Sequence, residues 1–597
     1  MCRIAGLADF KNSISQTRCQ VEQMCNLLIH GGPDDGGIFV SEECNLVLGN
    51  RRLSLLDLSV EGHMPMSYRQ QFHITYNGEI YNYQQIKNEL IHLGHQFSNK
   101  TDTEVILAAY AQWGVLSFSK LEGMFAFALF DEKEKEIFLV RDGAGIKPLY
   151  YALNENCFTF ASEVKALQAV TVLQKKNNNW PVYLMAYGHL PEPVTTSQEI
   201  KPLPKGFFLK YNFQSRKFHF QSFSHFSYSN RITEIEEARQ KTKTTLTESV
   251  SRQMLADAPI GVFLSGGLDS SIIASLASAT QHEKLNTLSI YFNEEAYSEK
   301  KYQDALIQKL QCNHHQLLLK REVFEDALPH IFSAMDQPSC DGINTWFISK
   351  LAADNGLKAV LSGLGGDELY GGYPSFSRFS KATWLQQLPE FIKVASKKSS
   401  SKRLSRMAYL KLKGTKGIYL FLRGHFTPVD IAKYLDCHES EIWTLLESTP
   451  CLMDTEGLDH KNTAGWMEFN LYMQNQLLRD SDVMSMNHGV EIRVPFLDDK
   501  NVRLANKISS DIKYAGRLPK QFLIDTFKDE IPQEIWDRPK MGFSFPFSQW
   551  LTESDFVKEN MQNGNEQSQK LYKKFMNGHL HWSQLMLLLL LNHRNIK

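Results

Sequence analysis

Cysteine is the second residue of the chain, in Met1-Cys2-Arg3-Ile4-Ala5-Gly6, so trimming the initiator methionine would put a thiol and a free α-amine on one residue. Such an amine titrates near ~7.7–8.0 and a free thiol near ~8.5. Both exchange protons close to neutral pH, as an attacking thiol and its own general base must. Taken alone, a cysteine there is more often an incidental buried thiol. Three further features supply what a nucleophile needs. Tyr76-Asn77-Gly78-Glu79-Ile80-Tyr81 follows a strand-like stretch and sets the Asn77 amide beside the Gly78 backbone N–H, a pair suited to an oxyanion hole, or else a plain Asn-Gly turn. Arg52, in Arg51-Arg52-Leu53-Ser54-Leu55-Leu56-Asp57, offers a planar fork for a carboxylate, while Glu79 and Asp102 offer charge to an ammonium. Together they would grip an amino acid by both charged ends.

A second constellation points to nucleotide chemistry. Pro259-Ile260-Gly261-Val262-Phe263-Leu264 reads as an apolar strand feeding Ser265-Gly266-Gly267-Leu268-Asp269-Ser270-Ser271, with a helix expected over Ile272 to Ala279. Glycines there let backbone N–H groups approach an anion, and the helix end adds partial positive charge, which makes a phosphate cradle. The loop lacks a Gly-Lys-Ser/Thr ending, which argues against phosphoryl transfer of the kinase sort. Ala359-Val360-Leu361 runs into Ser362-Gly363-Leu364-Gly365-Gly366-Asp367, so Asp269 and Asp367 both fall at strand ends, where carboxylates suit Mg²⁺ on ATP phosphates.

These groups need more than one core to position them. At 597 residues the chain has room for two or three domains. Phe125 to Phe130 and Glu136 to Val140 read as buried strands joined by the charged turn Asp131 to Lys135, and Asn177 to Glu234 reads as a connecting stretch before the pattern turns to alternating strand and helix. With 65 basic and 66 acidic residues the net charge of -1 argues against a nucleic-acid partner. Nine scattered cysteines fit a reducing cytoplasm, and Cys312, His314 and His315 lack the further ligands a metal site needs. No signal-like succession opens the sequence, and Leu585 to Leu591 is far short of the ~20 residues that span a bilayer, so a core-facing last helix and no membrane are expected. The basic run Lys397 to Arg406 reads as a solvated face or a disordered hinge.

Cys2, the turn at His30 to Gly37, Arg52 to Asp57, Asn77 to Glu79, Asp102-Thr103-Glu104, Arg141-Asp142 through Tyr151, and Ala161-Ser162-Glu163 resemble, in order, the N-terminal-nucleophile glutaminase domain of the asparagine synthetase family. The resemblance implies an αββα Ntn-hydrolase sandwich over 2–210 in which Cys2 attacks glutamine's side-chain amide. Asn77 and Gly78 become the oxyanion hole, and Arg52, Leu53, Ser54, Leu55, Leu56, Glu79 and Asp102 the glutamine site. Strand, SGGLDSS and helix resemble the loop of ATP pyrophosphatases, and Leu478 to Asp482, Glu491 to Asp498 and Lys520 fit the same family's synthetase domain. Over 235–597 this implies a doubly wound α/β domain with helical additions. ATP as co-substrate lies on Phe263, Ser265, Gly266, Gly267, Asp269, Ser270, Ser271, Ile290, Ser362 and Gly363, Mg²⁺ on Asp269 and Asp367, and Lys520 answers charge at the α-phosphate. An ammonia passage between the domains and a homodimer are further family-level expectations.

Three positions depart from the family pattern. Gly31 stands where members usually carry the arginine of His-Arg-Gly-Pro-Asp, and Leu364 stands where asparagine-forming members carry the glutamate of Ser-Gly-Glu-Gly. Met335 to Thr345, with Asp341, replaces a threonine- and arginine-containing stretch of the aspartate site. The expected reaction is amidation of aspartate to asparagine with release of AMP and pyrophosphate. The alternative is the same chemistry on another carboxylate, such as a sugar uronate. A tRNA-modifying enzyme with the same loop is disfavoured by the neutral charge and the glutaminase set, and a scaffold by intact Cys2, Asp269, Asp367 and Lys520.

Overall fold

The computed structural model describes residues 2–170, 173, 175–280, 284–395, 402–449, 455–542 and 544–594. Its N-terminal part holds twelve strands: β1 (Cys2–Asp9), β2 (Asp35–Ser41), β3 (Leu46–Arg52), β4 (Met66–Tyr68), β5 (Phe72–Ile80), β6 (Gly123–Asp131), β7 (Glu136–Arg141), β8 (Tyr150–Leu153), β9 (Cys157–Ala161), β10 (Lys201–Pro202), β11 (Phe207–Asn212) and β12 (Lys217–Ser222). They form two six-stranded antiparallel sheets, ordered β10-β8-β9-β1-β3-β2 and β12-β11-β7-β6-β5-β4. The strand period of two explains the layering. In β6, Ala126, Ala128 and Phe130 meet Ile4, Ala8 and Leu48 of the other sheet, whereas Phe125, Phe127 and Leu129 meet Val105 and Ile106 of the helix Asp102–Trp113. On the far side Ala5, Leu7 and Val47 pack against Val21 and Met24 of the helix Ile14–Leu27. Except at the edge strands β2 and β12, both faces of each sheet are covered, so the inner strands read as continuous apolar runs, and the αββα sandwich is the one expected.

The stretch read as a connector behaves differently. Its helix Trp180–Tyr187 is buried throughout and joins the core that contains the last helix, Trp582–His593. Its hairpin, β11 with β12, pairs with β7 and carries the second sheet to Ser222. Phe208, Leu209 and Tyr211 are buried from both faces of the hairpin, which is why aromatics crowd a segment that otherwise looks like loop.

The C-terminal sheet is parallel, with β13 (Ile260–Phe263), β14 (Asn286–Tyr291), β15 (Asn313–Leu318), β16 (Ala359–Leu361) and β17 (Glu491–Arg493) in the order β15-β14-β13-β16-β17. Strand order reverses at β13, and in such doubly wound sheets the crevice beyond the strands' carboxyl ends at that switch is where ligands bind. The helix after β13 starts at Leu268 rather than the expected Ile272. Ser270 and Ser271 hydroxyls both donate to the Gly267 carbonyl, at 3.1 and 2.8 Å, which draws the last residues of the loop into the first turn. Leu585 to Leu591 are fully buried, as a core-facing helix requires. Among the described residues no helix is long and apolar enough to cross a membrane. The first half of the basic run, 397–401, lies outside the described residues.

The two parts meet over buried charge. Arg3 is fully buried; its Nε donates to Glu163 at 2.7 Å and a terminal nitrogen to Asp482 at 2.7 Å. Lys147 adds a contact of 3.4 Å to the same Asp482. Gly31 now has a physical reason: a Cβ there would fall 2.7 Å from Arg3 Cγ, so the Arg3 side chain occupies that space. Breaking a buried pair by removing one partner costs roughly 3–5 kcal/mol. Asp482→Ala, which strips a carboxylate from two buried cations, is therefore expected to melt several degrees below the wild type by calorimetry. An unchanged melting temperature would show that these charges do not hold the parts together.

Candidate functional site

β1 begins at Cys2, directly opposite Arg52 of β3, and β5 brings Asn77 alongside. The Cys2 backbone nitrogen donates to Asn77 Oδ1 at 3.2 Å. That bond turns Asn77 Nδ2 the other way, where it is buried with no hydrogen-bond partner among the described residues. An orphaned buried donor costs about 1–3 kcal/mol, which an oxyanion forming beside it would recover. Gly78 is required here because a Cβ would lie 2.2 Å from the Met124 carbonyl oxygen of the neighbouring strand.

A small cleft joins Cys2, Arg52, Leu53, Leu55, Leu56, Gly78, Glu79 and Asp102, while the Ser54 backbone turns away to Asp34 Oδ2 at 2.8 Å. Arg52 is braced by the carbonyls of Leu56, Asp57 and Ser59 at 3.2, 2.6 and 3.2 Å. Burial pushes the Cys2 thiol up, against the opposing pull of a Leu53 backbone hydrogen bond and Arg52. Asp102 Oδ2 accepts from Tyr76 Oη at 2.8 Å and from the Ile80 N–H at 2.9 Å, yet burial still raises its carboxyl. Glu79 is held well above the usual carboxylate range by burial, although Arg493 of β17 lies 3.5 Å away and favours the charged form. The Arg493 backbone carbonyl in turn accepts the Ser362 N–H at 2.8 Å.

Ser362 opens onto the second site, a cavity of about 340 Å³ beyond the carboxyl ends of β13, β14 and β16. Phe263, Ser265, Gly267, Asp269, Ser270, Ile290, Ser362, Gly363, Asp367 and Lys520 all line it. Gly266 and Ser271 do not: the Gly266 carbonyl accepts from Arg538 at 2.9 Å, and fully buried Ser271 is turned onto Gly267. Lys520 bridges the expected metal ligands, 2.7 Å from Asp269 and 2.6 Å from Asp367, and Lys540 lies 2.7 Å from Asp367. The two carboxylates respond differently. Burial raises Asp269 despite Lys520, whereas at Asp367 the paired ammoniums outweigh burial and hold it at about 2. Asp269 Oδ1 is buried and carries no hydrogen bond, a vacant hard oxygen of the kind that suits Mg²⁺ shared with phosphates.

Several lining groups escaped sequence reading. Arg538 pairs with Glu299 at 2.6 Å, and Tyr373 donates to Glu368 at 2.8 Å. Arg538-Pro539-Lys540 follows no glycine loop or strand that would flag it. Leu364 and Asp341 line the same cavity, with Asp480 and Glu368 beside them. Burial pushes both Asp480 and Glu368 up to about 7. His314, by contrast, has both ring nitrogens engaged by Thr287 and Ser289 hydroxyls at 2.9 Å.

A cysteine cleft on an αββα sandwich, joined in one chain to a phosphate loop at the switch point of a parallel sheet, defines a two-part enzyme that couples an amidotransferase to an ATP-using ligase. The glutamine amidotransferase domain model matches residues 1–223 and the asparagine synthase model residues 241–588. The chain belongs to the asparagine synthase family and is a glutamine-hydrolysing, ATP-dependent carbon–nitrogen ligase of that type. It is 29% identical to asparagine synthetase 1 of Bacillus subtilis over 92% of this chain and 88% of that one. Similarity extends to asparagine synthetase B of Escherichia coli, at 30% over 65% of this chain and 67% of that one. It also reaches the amidase chry2 of Gibberella zeae, at 25% over 89% and 85%.

Removing one oxyanion-hole donor typically lowers kcat by roughly 10²–10³-fold. Asn77→Ala is expected to do so for glutamine hydrolysis, with the KM for glutamine changed only a few-fold, in steady-state assays of glutamate release. A loss smaller than threefold would remove Asn77 from that role.

Proposed function

We propose that this enzyme frees ammonia from glutamine at Cys2 and transfers it to an adenylated carboxylate. The sandwich, assigned here to 2–210 with its hairpin completed at Ser222, carries the first half-reaction, and 235–597 the second. Cys2 attacks the glutamine side-chain carbonyl, Asn77 Nδ2 and the Gly78 N–H take the charge on its oxygen, and ammonia leaves as the thioester forms. Water then releases glutamate. Arg52 holds the substrate's carboxylate, and Glu79 and Asp102 its ammonium.

In the second half, the acceptor carboxylate displaces pyrophosphate from ATP to form an acyl-adenylate, and ammonia displaces AMP to leave the amide. The glycines of the first loop receive the phosphates, Phe263, Ile290, Ser362 and Gly363 surround the adenosine, and Lys520 answers charge building at the α-phosphate. Asp269 and Asp367 would hold Mg²⁺, which would supply positive charge that makes pyrophosphate a better leaving group. Ammonia protonates readily in bulk water, so direct passage keeps it nucleophilic. Buried Leu53, in the wall of the cysteine cleft, packs against Met486 of the ligase part.

The observation that carries this reading is Asn77, which accepts from the Cys2 nitrogen through Oδ1 and keeps Nδ2 buried and unpaired, in a chain that also holds the phosphate cavity. For the acceptor, aspartate is the choice that the relatives' names put forward. A second reading, a sugar uronate, is favoured by Leu364 and Asp341 in the cavity wall. Cys2→Ala is expected to abolish glutamine-driven amide formation while ammonia-driven formation survives. Equal loss of both would refute the division of labour.

A further inference from the structure

The phosphate end and the opposite wall of the ligase cavity differ in charge. Its only cations among the described lining residues are Lys520, Lys540 and Arg538. All three are committed near the phosphate loop: Lys520 to Asp269 and Asp367, Lys540 to Asp367 and the Gly372 carbonyl, Arg538 to Glu299 and the Gly266 carbonyl. The opposite wall holds Asp341 and Asp480, brought close because the Gly342 backbone, next to Asp341, leaves a Cβ there only 3.1 Å from Asp480 Cβ. Asn344, Thr345 and Ser481 are its neutral polar neighbours, whereas Glu368 follows Asp367 and bonds Tyr373, whose ring centre lies 4.9 Å from Lys540 Nζ. Asp341 accepts from the Gly342 N–H at 2.8 Å, Asp480 from the Ser339 hydroxyl at 2.5 Å, and Glu368 from Tyr373. None of the three makes a salt bridge to a lysine or arginine among the described residues.

Aspartate would bring a second carboxylate into this wall when its side chain is the group adenylated. A bound carboxylate calls for a guanidinium fork or an ammonium, and this wall supplies neither among the described residues, so a second carboxylate would be desolvated there unpaired. Carboxylates instead accept hydrogen bonds from hydroxyls and ammonium groups. Resting on the amide-ligase reading above, we propose that the natural acceptor is a monocarboxylate whose non-reacting part carries hydrogen-bond donors, hydroxyl or ammonium, and no second anion, with Asp341 as the residue that selects for it. Leu364, uncharged in the same lining, adds no base.

The test is carboxylate-dependent exchange of pyrophosphate into ATP by the full-length protein, run with aspartate, glutamate, glucuronate and 2-amino-2-deoxyglucuronate. At least one sugar acid is expected to support exchange with a kcat/KM tenfold or more above aspartate, the two sugar acids separating hydroxyl from ammonium recognition. Asp341→Asn should raise the KM for that sugar acid at least tenfold while the KM for ATP moves less than twofold, and Asp341→Glu should restore part of the loss. Aspartate or glutamate exchanging as well as the sugar acids would overturn the inference and leave the ligase reading standing. Exchange with none of the four acids would overturn adenylation itself, and the inference with it.

Discussion

The pairing of Arg3 with Glu163 and Asp482 is the constraint on which the rest of the molecule is hung. A guanidinium taken wholly out of water loses several kcal/mol of solvation that only close, well-aligned carboxylates return. One of those carboxylates belongs to the sandwich and the other to the ligase part, so the parts cannot drift apart without stranding the charge. Arg3 is also the neighbour of Cys2 along β1. The nucleophile's position is thereby tied to the same contact that registers the two halves against each other.

A related economy of charge governs the ligase cavity. Asp269 and Asp367 share Lys520, yet only Asp367 has a second ammonium, from Lys540, and only Asp367 is driven to low pKa. Asp269, deeper and with one free oxygen, retains capacity for an added cation. Two carboxylates of like chemistry thus fill different parts, one anchoring lysines and the other open to exchange partners, because their neighbours differ by one residue.

Much of this was legible from local sequence. Cys2, Asn77-Gly78 and SGGLDSS carry their meaning within a few residues, since a turn, a strand end or a glycine that must admit backbone is a short-range demand. The apolar runs at Phe125 to Phe130 and Ile260 to Phe263 likewise announced strands covered on both faces. What stayed hidden depends on partners far away in the chain, 173 residues or more: Arg3 with Asp482, Arg493 with Glu79, Lys540 with Asp367. A lone charged side chain has no periodicity, so nothing in its neighbours distinguishes a bridge from a solvated surface. The hairpin to Ser222 was hidden for a different reason: its outer strand is exposed, and its inner aromatics gain meaning only against β7.

Arg493 has a consequence that follows from its two ends. Its side chain reaches Glu79 in the cysteine cleft, and its main chain holds Ser362 at the mouth of the nucleotide cavity. Occupants of the two clefts, if each displaces this one residue, bias the same short strand. Thermodynamic linkage then makes the influence mutual: whatever factor glutamine imposes on nucleotide affinity, nucleotide must impose on glutamine affinity. β17 is thus an element that both clefts share through a single residue.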